Sequence, residues 1–183
     1  MVGGEGRLHG FRMMKLFGAF LVFACVLLAG TPALAAPLTD PLRFFEGHTE
    51  TDGVVNVIMK KPRHVRNVGR GTISADGSLS LVQQVREEGK APKERVWHIR
   101  KVGPNKFAGT MSDAVGPVTI EQVGDRYRFR FKLAGGLSAE QWVTPNADGS
   151  AGRSVLTVRK LGITVARSVS TIRRTPKEAR SSP

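Results

Sequence analysis

Turn chemistry punctuates this chain about every 8–12 residues, which leaves room for short strands and for no long helix. Asp76-Gly77, Gly103-Pro104-Asn105, Gly124-Asp125, Gly135-Gly136 and Asp148-Gly149 all supply residues that tolerate the backbone angles of a tight reversal. Between the turns, side chains alternate. Residues 126–133 read R-Y-R-F-R-F-K-L, so Arg126, Arg128, Arg130 and Lys132 share one face while Tyr127, Phe129, Phe131 and Leu133 share the other. A strand of that kind is half-buried and antiparallel, with one wet side. Residues 95–118 repeat the design: a strand with Trp97, Ile99 and Lys101 on one face and Val96, His98 and Arg100 on the other, then a turn, then a return strand opened by Phe107.

The same criteria place strands at residues 50–60, 63–73, 79–87, 93–102, 106–111, 117–122, 126–133, 137–144, 155–159 and 163–173. Asp40-Pro41 predicts one helical turn ahead of them, packing Leu42, Phe44 and Phe45 on the fold. Gly69 and Gly71 predict a bulge or a sharp bend. Consecutive short strands mean a sandwich or a barrel, and the unbroken succession of hairpins favours the barrel. The expected fold is all-β: an antiparallel up-and-down barrel of about 8–10 strands with a short N-terminal helical turn.

Residues 1–35 read as an N-terminal extension plus a cleaved signal peptide. Arg12 and Lys15 precede the apolar run of residues 16–30, and Ala33-Leu34-Ala35 is a small-x-small cleavage site. Met13 and Met14 are alternative starts. The chain is then expected to be exported to the periplasm, or membrane-associated if the leader is retained. Residues 36–174 form the single domain, and the polar residues 175–183 are expected to be a disordered tail. Cys25, the one cysteine, lies in the apolar run, so the processed chain has no disulfide or thiolate chemistry. Net charge is +13, and about +11 remains once Arg7, Arg12 and Lys15 against Glu5 are removed with the leader. For an exported chain this points away from nucleic acid and toward anionic lipid head groups, or simply toward well-solvated strand faces.

Three blocks carry a family resemblance: F-F-E-G near residue 45, R-V-W-H-I-R-K-V-G-P-N-K-F-A-G-T-M-S-D-A-V-G at 95–116, and L-T-V-R-K-L-G-I-T-V-A-R-S-V-S-T-I-R-R at 156–174. Together they resemble a family of exported bacterial proteins of unknown function, many of them classed as lipoproteins. The resemblance spans residues 42–174 and implies a lipocalin-like barrel, with no established activity to carry over. The sequence departs from it in lacking a lipobox around Cys25 and in reading E-Q-W-V-T at 140–144, where the family tends to carry an acidic pair before the Trp.

No constellation for chemistry stands out. His48, His64 and His98 lack the i, i+2 spacing of strand metal ligands, so no metal site is expected. Ser112 and Asp113 beside His98 lack the glycines of a nucleophile elbow, and Asp113 reads as a turn residue. Glu87-Glu88 reads as a solvated pair at a turn. No phosphate loop or dinucleotide fingerprint appears. No catalytic residue, cofactor or enzyme activity is therefore expected. Two functions remain. In one, the barrel holds a lipid or small apolar ligand between Trp97, Phe107, Phe129, Phe131 and Trp142. In the other, a packed barrel docks on an anionic membrane or a protein partner through Arg126, Arg128, Arg130 and Lys132, cations about 7 Å apart along one strand face. The plain reading of that stripe is a solvent face that discourages edge pairing.

Overall fold

A computed structural model describes residues 40–175. The leader expected for residues 1–35 lies outside the described residues, as does the expected tail beyond Thr175. Ten strands follow one short helix: α1 Pro41–Phe44, β1 Gly47–Val57, β2 Arg63–Ile73, β3 Leu79–Glu87, β4 Lys93–Gly103, β5 Lys106–Met111, β6 Val118–Val123, β7 Arg126–Leu133, β8 Leu137–Pro145, β9 Ala151–Lys160 and β10 Ile163–Thr175. Each strand pairs antiparallel with the next, and β1 pairs with β10, so the sheet closes into an up-and-down barrel. Two strands begin earlier than their hydrophobic pattern indicates, and β1 also ends earlier, at Val57, because residues 58–60, expected to extend it, form the turn toward β2. β1 begins at Gly47 and β9 at Ala151, because their first inward positions are Thr49 and Thr51, and Gly152 and Ser154, small or polar residues that give no apolar alternation.

The two ends of the barrel differ. At one end α1 acts as a plug. Asp40 caps it, its carboxylate accepting from the Arg43 N–H at 2.9 Å, and Pro41 opens the turn as expected. Leu42, Phe44 and Phe45 are buried. Phe44 stands edge-on to Phe45, with ring centres 5.0 Å apart, and 6.2 Å from Tyr127. Neither Gly69 nor Gly71 makes a bulge; both keep register with β1 and β3. A Cβ on Gly71 would collide with the carbonyl oxygen of Phe45, so this glycine lets the plug's backbone lie directly on β2. The ladder breaks instead between Lys101 and Gly103 and between Thr164 and Ala166. From the plug, the core runs along β5, β6 and β7, where Phe107, Met111, Val118, Ile120 and Phe131 are buried. Among the described residues no helix is long and apolar enough to cross a membrane.

Tyr127, the chain's one tyrosine, is wholly buried at the plugged end, and its hydroxyl has no partner among the described residues. Burial, with the Asp40 charge added, pushes its pKa from 10.0 up to about 12. A raised phenol pKa means the folded state resists ionisation. Stability is therefore full below about pH 10 and falls as pH climbs toward about 12. Alkaline titration by tyrosinate absorbance, unambiguous with one tyrosine, is expected to show ionisation only as the fold is lost. Tyr127→Phe is expected to be neutral or stabilising by about 1 kcal/mol at neutral pH, since it removes a buried hydroxyl that bonds to nothing. Ionisation near pH 10 in a folded protein would contradict the burial.

Candidate functional site

The plug and the aromatic core fill one end and one side of the barrel, and a cavity of about 200 Å³ remains against the other side. Its floor is Phe45, Trp97 and Phe129, with Trp97 and Phe129 edge-to-face at 6.2 Å and Phe45 and Phe129 at 6.0 Å. Alternation then sends inward Thr51 from β1, Asn67 from β2, Gln83 from β3, Gln141 from β8, Ser154 from β9 and Ser168 from β10. Four of these polar groups, Gln83, Gln141, Ser154 and Ser168, are spoken for, the Ser168 hydroxyl donating to the Val54 carbonyl at 3.1 Å. Trp97 Nε1–H donates to Gln83 Oε1 at 2.9 Å, and Gln141 Nε2–H to Ser154 Oγ at 2.8 Å. Asn67 Oδ1 is buried and has no hydrogen-bond partner among the described residues. An unmatched buried acceptor is costly, so it favours an occupant that brings a donor.

Toward the open end the lining becomes apolar and then charged: Val55, Val65, Val85 and Leu156, then Glu87, Lys93 and Arg95. Glu87 bridges two cations, Arg63 Nη2 at 2.7 Å and Lys90 Nζ at 2.8 Å. Asp113, from the β5–β6 loop, does the same with Lys93 Nζ at 2.6 Å and Arg95 Nη2 at 2.8 Å. Burial acts to raise the Asp113 carboxyl, but the Lys93 hydrogen bond and the Arg95 charge outweigh it and hold the group below its ordinary 3.8. Its stabilising contribution is therefore present above the ordinary carboxylate range and lost only as pH falls through that lowered value. Four cations and two carboxylates leave this collar net positive, so it favours an acidic group at the mouth.

The five aromatics expected inside do not act together. Trp97 and Phe129 line the cavity. Phe107 and Phe131 are buried in the packed part of the core, Phe131 stacking edge-on to Trp97 at 6.0 Å. Trp142 lies on the outer face, opposite Arg128 in the β7–β8 ladder. The guanidinium carbons of Arg126 and Arg128 sit 4.7 and 5.4 Å from the centre of its ring. Pattern reasoning places a Trp inside and a Gln outside; here the cation stack satisfies the Trp and Ser154 satisfies Gln141, so the two are reversed. The basic stripe does share the outer face, but it is largely occupied. Arg128 pairs with Glu121, and Arg130 Nε lies 3.6 Å from Glu140. Lys132 makes no ion pair among the described residues.

The profile of a family described as protein of unknown function, DUF3833, matches residues 20–174. The chain belongs to the DUF3833 family. Among curated proteins none matches it. Three solved structures share the fold of this DUF3833 barrel. The S-type phycobiliprotein lyase CPES from Guillardia theta superposes with a TM-score of 0.59 at 13% identity, covering 75% of this chain and 92% of its own. Rv2717c from M. tuberculosis gives 0.55 at 15%, covering 76% and 98%. A protein of unknown function from the DUF3598 family, from Nostoc punctiforme, gives 0.57 at 11%, covering 80% of this chain and 53% of its own. At these identities the likeness is one of fold: a lipocalin-like antiparallel barrel, as the family resemblance implied.

In the DUF3833 barrel, Ser112, Asp113 and His98 form no catalytic relay. Asp113 is held by Lys93 and Arg95, the Ser112 hydroxyl accepts the Val96 N–H at 3.1 Å, and exposed His98 is on the outer face. Among the described residues, no three His, Cys, Asp or Glu side chains converge as metal ligands. Glu87, expected to be solvated, is instead part of the collar. The polar lining, Asn67, Gln83 and Gln141 above all, escapes pattern reading, because inward polar residues look like the wet face of a strand. The one usable signal is phase: Gln83 sits in step with Leu79, Leu81 and Val85.

Proposed function

We propose that this protein is an exported, periplasmic binding barrel that takes a small amphipathic ligand through its open end, rather than an enzyme. The observation that carries the reading is the lining of the cavity: an aromatic floor, an unmatched acceptor at Asn67 and a positive collar at the mouth. The apolar part of the ligand packs on Trp97 and Phe129, a donor group reaches Asn67, and an acidic group meets Lys93 and Arg95. About 200 Å³ equals roughly six or seven waters of liquid, below the roughly 300–1,000 Å³ of drug-sized sites. The ligand is therefore small, or it is a lipid that inserts one short segment. The likeness to a phycobiliprotein lyase supports a barrel that handles a small molecule. Binding is favoured over catalysis because the two carboxylates of the collar, Asp113 and Glu87, are each neutralised by two cations and so are poorly suited to act as a base. The leader and its cleavage site at Ala33-Leu34-Ala35 support export.

Native mass spectrometry of the protein gently released from its host's periplasm tests this. A reproducible added mass is expected, lost on organic extraction and restored by lipid extract. Asn67→Leu is expected to keep the fold, since it removes an unmatched buried acceptor at little change in volume, while lowering the occupied fraction. Lys93→Gln is expected to lower it for acidic candidates only. A bare mass under the gentlest conditions would overturn the reading.

A further inference from the structure

The turns at the two ends of the barrel differ in the apolar surface they expose. Those at the plugged end hold Asp76, Asp125 and Asp148. Those at the open end hold most of the large apolar side chains that the barrel exposes: Ile58 and Met59 between β1 and β2, Val115 between β5 and β6, and Leu161 and Ile163 where β9 turns into β10. Met59 is 98% exposed and Leu161 92%.

Both residues also sit where the backbone argues against them. Met59 has φ 58° and Leu161 φ 49°, the left-handed region that favours Gly or Asn. Met59 occupies the third position of a turn closed by Lys60 N–H to the Val57 carbonyl at 3.0 Å, where a positive φ normally selects glycine. Leu161-Gly162 has both φ values positive, a two-residue hairpin turn in which Asn-Gly is the favoured pair. A strained apex that points a bare apolar side chain into water does nothing for folding, and strain of this kind marks function. The two apices are neighbours, since the Ile58 N–H donates to the Val165 carbonyl at 2.9 Å.

Charge says what covers them. Lys60, Lys61 and Lys160 are exposed beside the apices, and residues 53–75 and 149–175 contain no Asp or Glu. Around the same end, Val115 with Arg130, Lys132 and Arg159, against the single carboxylate of Glu140, lines a solvent-open hollow of about 630 Å³. The lysines clustered beside the two apices oppose a second copy of this chain there, whereas apolar tips flanked by lysines match the acyl and phosphate layers of an anionic membrane. We propose that the open end of the barrel docks on an anionic lipid bilayer, with Met59 and Leu161 entering the interface and Lys60, Lys61 and Lys160 resting on the head groups. The surface meets the Arg126–Lys132 stripe only at Arg130 and Lys132, and the stripe's Arg128 and Arg130 are held by the carboxylates of Glu121 and Glu140; the proposal does not rest on what the cavity binds.

The test is co-sedimentation of the protein, as its host processes it, with vesicles of phosphatidylglycerol and phosphatidylethanolamine. The double variant Met59→Asn and Leu161→Asn is expected to partition at least tenfold more weakly while its thermal midpoint holds or rises, because asparagine suits both apices. Lys60→Gln with Lys61→Gln and Lys160→Gln is expected to weaken binding and flatten its salt dependence. Val68→Asn and Val169→Asn, exposed on the barrel wall, should change nothing. Unchanged binding of the Asn variant, absence of binding by the parent protein, or equal binding to purely zwitterionic vesicles would each overturn the proposal. So would a parent dimer that the Asn variant dissociates, which would assign the apices to a second copy. None of these results depends on the added mass that tests the cavity.

Discussion

Phe44→Ala lowers the free energy of unfolding by roughly 3–5 kcal/mol, the range for deleting a fully buried aromatic ring whose site cannot collapse. Phe44 has no exposed surface and is held on three sides, by the Phe45 ring at 5.0 Å, by Tyr127 at 6.2 Å and by β9, where a Cβ on Gly152 would stand only 2.9 Å from the tip of the Phe44 ring. The surrounding strands are locked by their ladders and cannot close over the gap. Phe44→Leu, which refills part of the volume, should lose clearly less. Urea unfolding of both variants reads the difference, and a loss below about 1 kcal/mol for the alanine would mean that the helix is not the plug described above. The alanine variant also joins the hole at the plugged end to the space beside Phe45. A ligand retained at the open end should then dissociate faster, which separates the plug's role in closure from its role in stability.

Gly71→Val destabilises by roughly 3 kcal/mol or more, the upper part of the range for overpacking, because its new atoms meet backbone rather than a side chain that can rotate away. The obstacle is the carbonyl of Phe45, fixed by the turn that ends α1 and by the strand that follows. Either the plug lifts or β2 leaves its place between β1 and β3. Gly103→Ala is the control. That position has an ordinary φ, its nearest foreign atom, Lys106 Cβ, is 3.9 Å from an added Cβ, and the change should fall within about 0.5 kcal/mol. Equal effects at the two positions would remove close approach as the reason for glycine at 71.

Architecture was legible where chemistry was local. Strand positions followed from turn residues and two-residue periodicity, the helical turn from Asp40-Pro41, and the barrel from consecutive hairpins. The site was not, and the reason is physical. Periodicity separates apolar from polar, but a ligand cavity places polar groups on the inside, where Thr51, Asn67, Gln83 and Gln141 imitate a solvent face. Trp142 shows the converse: an indole that meets two guanidinium groups is at home outside, and only the β7–β8 register reveals that the arginines are there. The collar was hidden for another reason. Arg63, Glu87, Lys93, Arg95 and Asp113 come from three strands and a loop, and the pairing of β2, β3 and β4 gathers them before the barrel closes.

That closure also sets a clock. Every ladder but one joins neighbours in sequence and can form as the chain appears; the exception joins β1 to β10, where the Ser168 hydroxyl reaches the Val54 carbonyl across 114 residues. At synthesis rates of about 5–20 residues per second, β1 waits roughly 6–23 s for its second partner. Throughout that interval its edge, with Val54 and Val55 in it, is an unpaired template for any other strand. Misassembly in this protein should accordingly track the delay before β10 arrives rather than the strength of the finished barrel, and slower elongation should increase aggregation even when equilibrium stability is unchanged.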